Sequence, residues 1–377
     1  MISKVSHLLN KPFIRRFSRD ALLAMNPEQA HKATILALKS GVVTSKPYRD
    51  PLELNISIAG LSLSNPIGMA AGFDKNAQVF QALGNLGFGF CEVGTITPAP
   101  QYGNPKPRLF RLMAAKGVIN RMGFNNQGHD AAFERLNIVR EKGASVVGVN
   151  IGANKESEDF ITDYVSGVKK FARIAGYLTI NISSPNTPGL RGLQSPQLFE
   201  RLLDKTLNER DRQSVNTPVF VKISPDLTLE AMDDIAQIVT KTSLDGLIVS
   251  NTTVARTSVQ DLPFAHEAGG LSGQPIFEAS TIRLAQMRQR VGQDMAIIGV
   301  GGVHSAASAL AKIEAGANAI QLYTALIFEG MELLDKIKQG LVAAVREKNC
   351  TSIKQLVGTK TEEWAKKPEF MNEFNGS

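Results

Sequence analysis

Eight short apolar runs alternate with helix-length segments along most of the chain. The runs are Pro66–Ala71, Phe88–Val93, Ser145–Val149, Tyr177–Ile180, Val219–Lys222, Gly246–Ser250, Ala296–Gly299 and Ala319–Leu322. The helix-length segments lie near residues 76–86, 128–142, 159–175, 196–209, 227–242, 276–291, 305–315 and 331–346. Eight alternating units of this kind predict an α/β fold of the (β/α)8 barrel type. A doubly wound open sheet is the competing architecture, but that fold does not require eight units.

Two further patterns precede the barrel. Leu54–Ile58 and Leu61–Leu63 lie on either side of Gly60 and predict a small hairpin. Residues 1–25 combine basic side chains with leucines and phenylalanines, which is typical of an amphipathic helix. A second helix is predicted to begin with Asn26 as its N-cap and to end near Ser40. These helices would lie on a membrane interface or cover an apolar entrance, and a cleavable targeting peptide is the alternative.

The chain therefore divides into three predicted regions. Residues 1–45 form a small two-helix domain, and residues 46–347 form the barrel. Residues 348–377 form a C-terminal extension, which we expect to be flexible, above all at its charged end. The pattern offers no function for this extension.

Composition and charge narrow the function classes. The 377 residues are 43% hydrophobic and carry a net charge of +7, so an anionic membrane, an anionic ligand or nucleic acid has to be considered. No nucleic-acid motif is present, and no nucleic-acid partner is expected. Cys91 and Cys350 lie far apart and predict neither a disulfide framework nor a metal site. No apolar run approaches the roughly 18 residues of a membrane-spanning helix.

Long polar loops indicate where the site lies. Loops 94–127, 182–195 and 251–275 all follow predicted strands, and barrels place their active sites on that face. These loops and the neighbouring strand ends carry Asn120, Arg121, Asn125, Asn150, Asn181, Ser184, Asn186, Lys222, Asn251 and Thr252. Asparagine amides suit the edge of a planar polar ligand, and Ser184 could take a proton if it is activated. A Ser/Pro/Asn-rich turn with only capping duties is the alternative for the loop around Ser184.

A glycine-rich turn supplies the other half of the predicted site. Residues 298–305 read IGVGGVHS, end the seventh predicted strand and open a helix at Ser305. Backbone amides of such a turn and of a helix N-terminus form an anion site, and barrels bind phosphate after strands seven and eight. Tyr323 and Thr324, after strand eight, could complete it, and residues 71–75 form a second loop with Lys75 as a cation. We therefore predict a phosphorylated cofactor.

Long motifs resemble those of the dihydroorotate dehydrogenases, and the similarity extends over residues 10–345. The motifs are NPIGMAAGFDKNA (65–77), EVGTITPAPQYGNPKPRLFRL (92–112), INRMGFNNQG (119–128), VNIGANK (149–155), NISSPNTPGLRGLQ (181–194), VKISPD (221–226), SNTT (250–253), GGLSG (269–273) and IGVGGVHS (298–305). They resemble the quinone-dependent, membrane-associated class 2. Soluble relatives carry a cysteine where Ser184 stands, which together with the amphipathic start favours this class.

The resemblance implies a reaction and a set of residue roles. The enzyme would oxidise (S)-dihydroorotate to orotate in de novo pyrimidine (UMP) biosynthesis, with one FMN per chain and a membrane quinone as final electron acceptor. Ser184 would remove the proton from C5, and the hydride from C6 would pass to N5 of FMN. Substrate-binding residues would be Lys75, Asn120, Arg121, Met122, Gly123, Phe124, Asn125, Asn181, Asn186, Asn251 and Thr252. Cofactor-binding residues would be Ala71, Gly72, Phe73, Asp74, Lys75, Thr95, Asn150, Asn181, Lys222, Ser250, Gly273, Gly302, Tyr323 and Thr324.

The resemblance also bears on quinone access and location. His31, Arg111 and Tyr323 would meet the quinone beneath a two-helix lid. A monomer bound peripherally to the cytoplasmic side of the cell inner membrane is expected, with the mitochondrial inner membrane as the alternative.

Two other function classes stay open. A 2-hydroxy-acid oxidase on the same barrel would need a histidine base at a strand end, and no histidine directly follows strands three to six. A flavin-binding barrel that has lost catalysis would show loss of site residues. The serine, the lysines and the asparagines named above are all present.

Overall fold

The structure is a computed structural model that describes residues 19–41, 49–140 and 146–368. Its strands are β1 (Ile56–Ile58), β2 (Leu61–Leu63), β3 (Ile67–Met69), β4 (Phe90–Ile96), β5 (Leu109–Leu112), β6 (Gly117–Asn120), β7 (Val146–Ile151), β8 (Tyr177–Asn181), β9 (Val219–Ile223), β10 (Gly246–Val249), β11 (Gly270–Gly273), β12 (Ala296–Val300) and β13 (Ala319–Leu322). Eight of these strands close a parallel barrel in the order β10-β12-β13-β3-β4-β7-β8-β9. The predicted (β/α)8 fold is therefore confirmed, and each predicted barrel run overlaps one of these strands.

Helices surround the barrel and precede it. They are α1 (Pro27–Lys39), α2 (Phe80–Asn85), α3 (Gly128–Arg140), α4 (Phe160–Phe171), α5 (Pro196–Arg212), α6 (Leu229–Val239), α7 (Phe277–Val291), α8 (Ala306–Glu314), α9 (Thr324–Glu329), α10 (Glu332–Glu347) and α11 (Thr361–Ala365). Residues 19–24 are also helical. Short 3-10 helices lie at Leu52–Leu54, Leu190–Gln194, Gln274–Ile276 and Ile353–Leu356.

Burial on both faces explains why the barrel strands were visible as apolar runs. All residues of β8 and β9 are buried, as parallel strands between a packed barrel interior and a ring of helices must be. The register pairs Asn181 with Lys222 and Gly94 with Asn150 at the carboxyl ends of neighbouring strands. Polar residues that are distant in sequence therefore meet at one rim of the barrel.

The N-terminal helix follows its capping residues. The Asn26 side chain accepts hydrogen bonds from the backbone amides of Glu28 (3.0 Å) and Gln29 (3.4 Å), and Pro27 occupies the first helical position. The helix ends at Lys39, and Gly41 takes a φ of 69°. The predicted second helix is thus confirmed. Residues 19–41 are called the lid below, and residues 1–18 of the predicted N-terminal domain lie outside the described residues.

Two local predictions needed adjustment at their boundaries. The hairpin pairs β1 with β2 around Ala59 and Gly60, both with positive φ, but Leu52–Leu54 forms a 3-10 helix and not part of the strand. The first barrel helix begins at Phe80 and not near residue 76. The Asp74 carboxylate explains the delay, because it accepts the amides of Gln78 (2.8 Å) and Val79 (2.7 Å) and folds this segment into a loop.

Two long loops combine into a structure that the sequence pattern did not reveal. Strands β5 and β6 form a hairpin within loop 94–127, and β11 from loop 251–275 pairs antiparallel with β6. This three-stranded sheet has its own apolar cluster, which includes Phe110, Ile119 and Leu271. It forms a wall beside the carboxyl rim of the barrel.

The C-terminal region differs from its prediction as a flexible extension. Residues 351–368 fold back on the barrel, with Ile353, Leu356 and Trp364 buried. Apolar side chains at these positions remove surface from water when they pack, which favours a docked segment over a free one. The charged end, residues 369–377, lies outside the described residues. Within the described ranges, no helix is long and apolar enough to cross a membrane.

Candidate active site

One cavity of about 1050 Å³ lies between the lid and the carboxyl rim of the barrel. The lid contributes Leu22, His31 and Thr34, and the barrel loops contribute residues from around most of the rim. The predicted site residues that line it are His31, Ala71, Gly72, Phe73, Lys75, Thr95, Arg111, Asn120, Met122, Gly123, Phe124, Asn125, Asn181, Ser184, Asn186, Lys222, Ser250, Asn251, Thr252, Gly273, Gly302, Tyr323 and Thr324. The residues predicted to bind the substrate, the cofactor and the quinone thus line the same cavity.

A network of buried amides and hydroxyls forms the floor of this cavity. Thr95 Oγ1 donates to Asn150 Oδ1 at 2.6 Å, and Asn181 Nδ2 donates to both of these oxygens, at 2.9 and 3.1 Å. The Asn150 amide in turn donates to Glu92 Oε1 at 2.7 Å. Asn150 itself is fully buried and does not line the cavity, but it bonds to Thr95 and Asn181, which do. The network fixes the orientation of the Thr95 and Asn181 side chains.

Glu92 is the buried anion beneath this floor, and it was not singled out from the sequence. Its Oε2 accepts hydrogen bonds from Tyr177 OH (3.0 Å), Thr179 Oγ1 (3.2 Å) and Gln321 Nε2 (2.8 Å). These donors come from two other strands of the barrel, so a buried carboxylate is solvated by the protein in place of water.

Lys222 is the cation that faces the cavity from β9. Its side chain is buried, and among the described residues it has no hydrogen-bond partner. Burial lowers the pKa of Lys222, and the negative charge of Glu92 acts in the opposite direction. A buried cation that is not neutralised by a direct partner favours a bound group that is anionic or becomes anionic.

Ser184 lies on the opposite loop, buried and at the cavity wall. Its Oγ accepts the backbone amide of Asn186 at 3.2 Å, and this is the only hydrogen bond to that oxygen among the described residues. The amide stabilises negative charge on the oxygen and leaves the hydroxyl proton free to be given away. The neighbouring Ser183 is engaged with Asn181 and Asn251, so it is not equivalent.

Amide side chains surround Ser184. Asn186 Nδ2 donates to Asn120 Oδ1 at 3.4 Å, and Asn251 Nδ2 donates to Asn181 Oδ1 at 3.3 Å. The Asn125 Oδ1 atom is buried without a protein partner. A buried acceptor without a partner is expected where a ligand supplies the missing donor. The loops therefore present amide groups to a ligand with both donors and acceptors.

Lys75 supplies a second cation, at the lid side of the cavity. Its ammonium donates to the Gly72 carbonyl, and burial lowers its pKa to about 8. The charges of Glu28 and Asp74 act in the opposite direction, and that of Arg108 adds to the lowering. Lys75 is thus positioned to attract a carboxylate and is more easily deprotonated than an ordinary lysine.

The glycine-rich turn follows β12 as predicted. Gly301 and Gly302 have φ values of 108° and 75°, which favour glycine. A Cβ at Gly302 would come within 2.4 Å of Phe277 Cα, so a side chain there is excluded by backbone as well. Helix α8 then begins at Ala306, and Ser305 is its N-cap and forms reciprocal hydrogen bonds with Ser308. Its N-terminus and the turn amides give this end of the site the character of an anion site.

An aromatic cluster joins the lid to the barrel. His31 Nδ1 lies 3.2 Å from Tyr323 OH, and the Phe73 ring packs edge-on against both rings. Burial, with a smaller contribution from the charge of Lys75, lowers the pKa of His31 to about 3.

The Arg111 guanidinium donates to the carbonyls of Leu22, Leu23 and Met25 and so caps the helical residues 19–24.

Three predicted site residues do not line the cavity. Arg121 is directed away, toward Glu267 at 2.6 Å and over the Phe110 ring. Asp74 is occupied by backbone amides, and Asn150 lies behind Thr95. The roles predicted for Asp74 and Asn150 are therefore available only through the residues that they position. Among the described residues, no group of histidines, cysteines and carboxylates could hold a metal ion.

The chain matches the family model described as "Dihydroorotate dehydrogenase" over residues 53–345. This chain belongs to the dihydroorotate dehydrogenase family. Proteins named "Dihydroorotate dehydrogenase (quinone)" from Brucella ovis and Brucella melitensis biotype 2 are 54% and 53% identical to it over 352 residues. In each case the alignment covers 92% of this chain and 96% of the relative.

Solved structures of the dihydroorotate dehydrogenase family agree with the fold. The crystal structure of DHODH from Eimeria tenella in complex with ferulenol superposes with a TM-score of 0.84 at 38% identity, covering 88% of this chain and 95% of that chain. The ligand-free form from the same organism gives 0.85 at 38% identity, covering 89% and 99%.

The predicted family, its quinone-dependent class and the enzyme type are thereby confirmed. Dihydroorotate dehydrogenases are flavin-dependent oxidoreductases of pyrimidine biosynthesis, and the quinone-dependent class oxidises dihydroorotate to orotate with a quinone as acceptor. Neither alternative class gains support. A hydroxy-acid oxidase needs a histidine base at the rim, but His266, in the loop after β10, is exposed and does not line the cavity.

Proposed function

We propose that this chain uses FMN, takes the proton of dihydroorotate with Ser184 and passes electrons to a membrane quinone beneath the lid. The observation that carries this proposal is the single cavity in which Ser184, Lys222 and the Gly301–Gly302 turn share one space with the His31–Tyr323 pair of the lid side. A substrate site and a separate apolar entrance can both reach a cofactor only if they open into one volume.

The residues present fit FMN. The Gly301–Gly302 turn and the amides around Tyr323 and Thr324 suit its phosphate, because they offer backbone donors at a helix N-terminus. Thr95 and Asn181 suit a flavin ring edge, because the Glu92 network holds them in fixed orientation. A cavity of about 1050 Å³ has room for this cofactor and for a small substrate. FMN, when bound, supplies the hydride acceptor for C6 of dihydroorotate.

Lys222 serves the reaction electrostatically. It interacts with the charge of the buried Glu92, and its ammonium would stabilise negative charge that develops on the cofactor during reduction. Preorganised charge in a dry site acts more strongly than in water, since no solvent has to reorient. The proposal therefore requires Lys222 to be protonated at the working pH.

Ser184 and the amide side chains act on the substrate. Serine is a weak base at its free pKa, so its own hydroxyl proton has to pass to water as Ser184 Oγ takes the C5 proton. The Asn186 amide that donates to this oxygen would stabilise the negative charge that Oγ carries during this exchange. Asn120, Asn125 and Asn251 would bind the ring amides, and Lys75 the carboxylate. Arg121 acts in this proposal through its backbone, because its side chain is paired with Glu267.

The lid supports a quinone entrance and a membrane surface. Between the lid and Tyr323 the cavity wall is largely apolar, with Leu22, Leu38 and Phe73 among its residues. Met25 and Leu36 expose apolar side chains on the lid, at 40% and 68%. Exposed apolar groups beside an apolar entrance favour contact with lipid. We infer a monomer attached peripherally to the cytoplasmic side of the inner membrane, with His31, Arg111 and Tyr323 meeting the quinone.

The first experiment mixes the purified flavoprotein with dihydroorotate anaerobically and follows flavin absorbance. The same run uses Ser184→Ala, and flavin released by denaturation is identified by mass. We expect FMN, rapid bleaching of the parent and a loss of about 10²- to 10⁴-fold in the variant. Addition of a short-chain quinone should then restore the absorbance in both proteins at similar rates.

A matched serine controls for the substitution itself. Ser195 is on the same loop, exposed, and makes no side-chain cap hydrogen bond, so Ser195→Ala should behave as the parent. Equal bleaching rates in Ser184→Ala and the parent would remove Ser184 as the base. A different flavin, or FMN that dihydroorotate leaves oxidised, would refute the cofactor or the substrate assignment respectively.

A further inference from the structure

The C-terminal segment, residues 351–368, packs behind the glycine-rich turn. We propose that this segment is a positioning element for the turn and thereby sets the affinity for the phosphate end of the cofactor. The proposal deepens the proposed function and rests on FMN being the ligand of the turn. None of the residues 351–368 lines the cavity, so any effect must pass through groups in between.

An aromatic contact is the first connection. The Trp364 ring packs edge-on against Phe277, with ring centroids 6.0 Å apart, and Trp364 is buried. The backbone of Phe277 in turn closes over the turn, because a Cβ on Gly302 would meet Phe277 Cα at 2.4 Å and its N at 2.6 Å. Loss of the Trp364 ring would allow Phe277 to shift. Because Phe277 is in direct contact with the turn at Gly302, the turn would shift with it.

His304 fastens the same turn from its other side. Its ring packs edge-on against Phe277 at 5.8 Å, and its Nδ1 lies 2.7 Å from the Gly302 carbonyl. A carbonyl oxygen can only accept, so this contact places the proton on Nδ1. Phe277 thus packs between Trp364 and His304. Gly302 contacts Phe277 and is hydrogen-bonded to His304, so a change at Trp364 can reach Gly302 through Phe277.

The second connection runs through helix α8, whose N-terminus opens at the turn. The C-terminal segment binds the carbonyls at the other end of this helix: Gly358 N donates to Ile313 O at 3.0 Å, and Lys360 N donates to Glu314 O at 2.8 Å. Thr361 Oγ1 donates to Ala315 O at 3.1 Å. Ile313 O also accepts Gly316 N at 2.9 Å, whereas the Glu314 and Ala315 carbonyls are given no other donor among the described residues. The segment therefore contributes to the C-terminal cap of this helix.

A buried lysine completes the support. Lys312, in the last turn of α8, is fully buried, and its Nζ donates to Ser280 Oγ at 2.7 Å and to Val300 O at 3.4 Å. Ser280 Oγ donates to Gly301 O at 2.9 Å. The lysine lies 5.8 Å from the Phe277 ring centroid. Movement of α8 would therefore be transmitted to both Gly301 and Phe277.

The test compares FMN with riboflavin, which has the same ring but no phosphate. Binding to flavin-free full-length protein is measured by quenching of flavin fluorescence. We expect Trp364→Ala to weaken FMN binding by about ten-fold, while riboflavin binding is unchanged. Trp364→Phe, which keeps an aromatic contact, should retain most of the affinity. Lys366→Ala, which removes only an exposed pair with Glu362 on the same helix, is the matched control.

Each outcome bears on a separate claim. Equal weakening of FMN and riboflavin by Trp364→Ala, or no weakening of FMN, would overturn the positioning role. A parent protein that binds riboflavin as tightly as FMN would instead refute the phosphate site of the proposed function. If Trp364→Ala does not fold, Thr361→Val carries the same test, because it removes the hydrogen bond to Ala315 O and leaves the aromatic packing in place.

Discussion

Glu28 of the lid and Arg108, the residue before β5, form an ion pair with two hydrogen bonds. Arg108 Nη2 lies 2.7 Å from Glu28 Oε1, and Arg108 Nε lies 3.3 Å from Oε2. The side chains are only 12% and 7% exposed. Burial would raise the pKa of Glu28, but the hydrogen bond and the charge of Arg108 outweigh it and lower the pKa. The pair therefore joins the lid to the wall of the active site.

Breaking this pair should affect the quinone and not dihydroorotate. In Glu28→Gln the neutral amide loses the charge that fixes Arg108, while Arg108 keeps its bonds to the carbonyls of Tyr102 and Asn104. A buried charge that loses its partner is destabilised by roughly 3–5 kcal/mol, which here favours an undocked lid. We expect the KM for a short-chain quinone to rise at least about ten-fold at pH 7, with flavin reduction by dihydroorotate unchanged.

Lys106 offers the control for this substitution. Its ammonium lies 3.7 Å from Glu28 but its side chain is 61% exposed, so Lys106→Gln should change the quinone KM by less than about three-fold. A Glu28→Gln enzyme with the quinone KM of the parent would show that the ion pair does not hold the lid.

Substrate binding should weaken at alkaline pH because of Lys75. Burial lowers its pKa to about 8, so the ammonium is present below that pH and is lost as the pH rises through it. Binding of the orotate carboxylate should then fall about ten-fold per pH unit above about pH 8. Titration of oxidised enzyme with orotate, followed by the flavin spectrum, measures this directly.

Lys75→Arg distinguishes this lysine from other titrating groups. Arginine remains charged throughout the range, so the alkaline loss of orotate affinity should disappear in the variant even if its affinity at pH 7 is lower. An unchanged alkaline slope in Lys75→Arg would assign the titration to another group.

Arg288 allows a prediction on stability that is independent of the active site. Its buried guanidinium makes five hydrogen bonds, to the carbonyls of Gly292, Met295 and Gly316 and to Asn318 Oδ1. Arg288→Met would remove all five hydrogen bonds, two of them to the buried Gly316 carbonyl, and should lower the free energy of unfolding by about 3–5 kcal/mol in urea denaturation. Arg290→Gln, which breaks a partly exposed pair with Asp233, should change it by less than about 1 kcal/mol.

The sequence pattern predicted the barrel because its strands are buried on both faces. Such strands read as continuous apolar runs, and each run overlaps the observed strand. The small sheet beside the rim escaped prediction, since it pairs Asn120 with Gly270, residues 150 positions apart whose individual strands are four residues long. Non-local pairing of short segments leaves no local periodicity to detect.

The C-terminal segment shows a different limit of sequence reasoning. Its charged residues suggested a solvated tail, yet Ile353, Leu356 and Trp364 are spaced so that all three reach the barrel from a 3-10 turn and a five-residue helix. The apolar residues of this segment are few and irregularly spaced, and they give no strong signal of amphipathic structure. Only the complementary surface of α7 and α8 makes their burial favourable.

Site residues were predicted where function requires a polar group at a strand end or in the loop that follows it. Ser184, Lys222 and Asn181 were visible for this reason, and all three line the cavity. Glu92 was not, because a single charge within an apolar strand looks like an interruption. Its compensation by Tyr177 and Gln321 exists only in the closed barrel.

Glu92 should tune the charge of Lys222. Its carboxylate raises the pKa of Lys222 against the lowering caused by burial, so Glu92→Gln should lower that pKa further. Since the ammonium is lost as the pH rises through its pKa, the alkaline loss of the flavin reduction rate should move to lower pH in Glu92→Gln. The shift is measured in a Lys75→Arg background, because an arginine at position 75 stays charged over the whole pH range. Tyr177→Phe is the control, because it removes one hydrogen bond to Glu92 but not the charge of Glu92, and it should leave the pH dependence of the flavin reduction rate nearly unchanged. If Glu92→Gln has the same pH dependence as the parent, the carboxylate does not raise the pKa of Lys222.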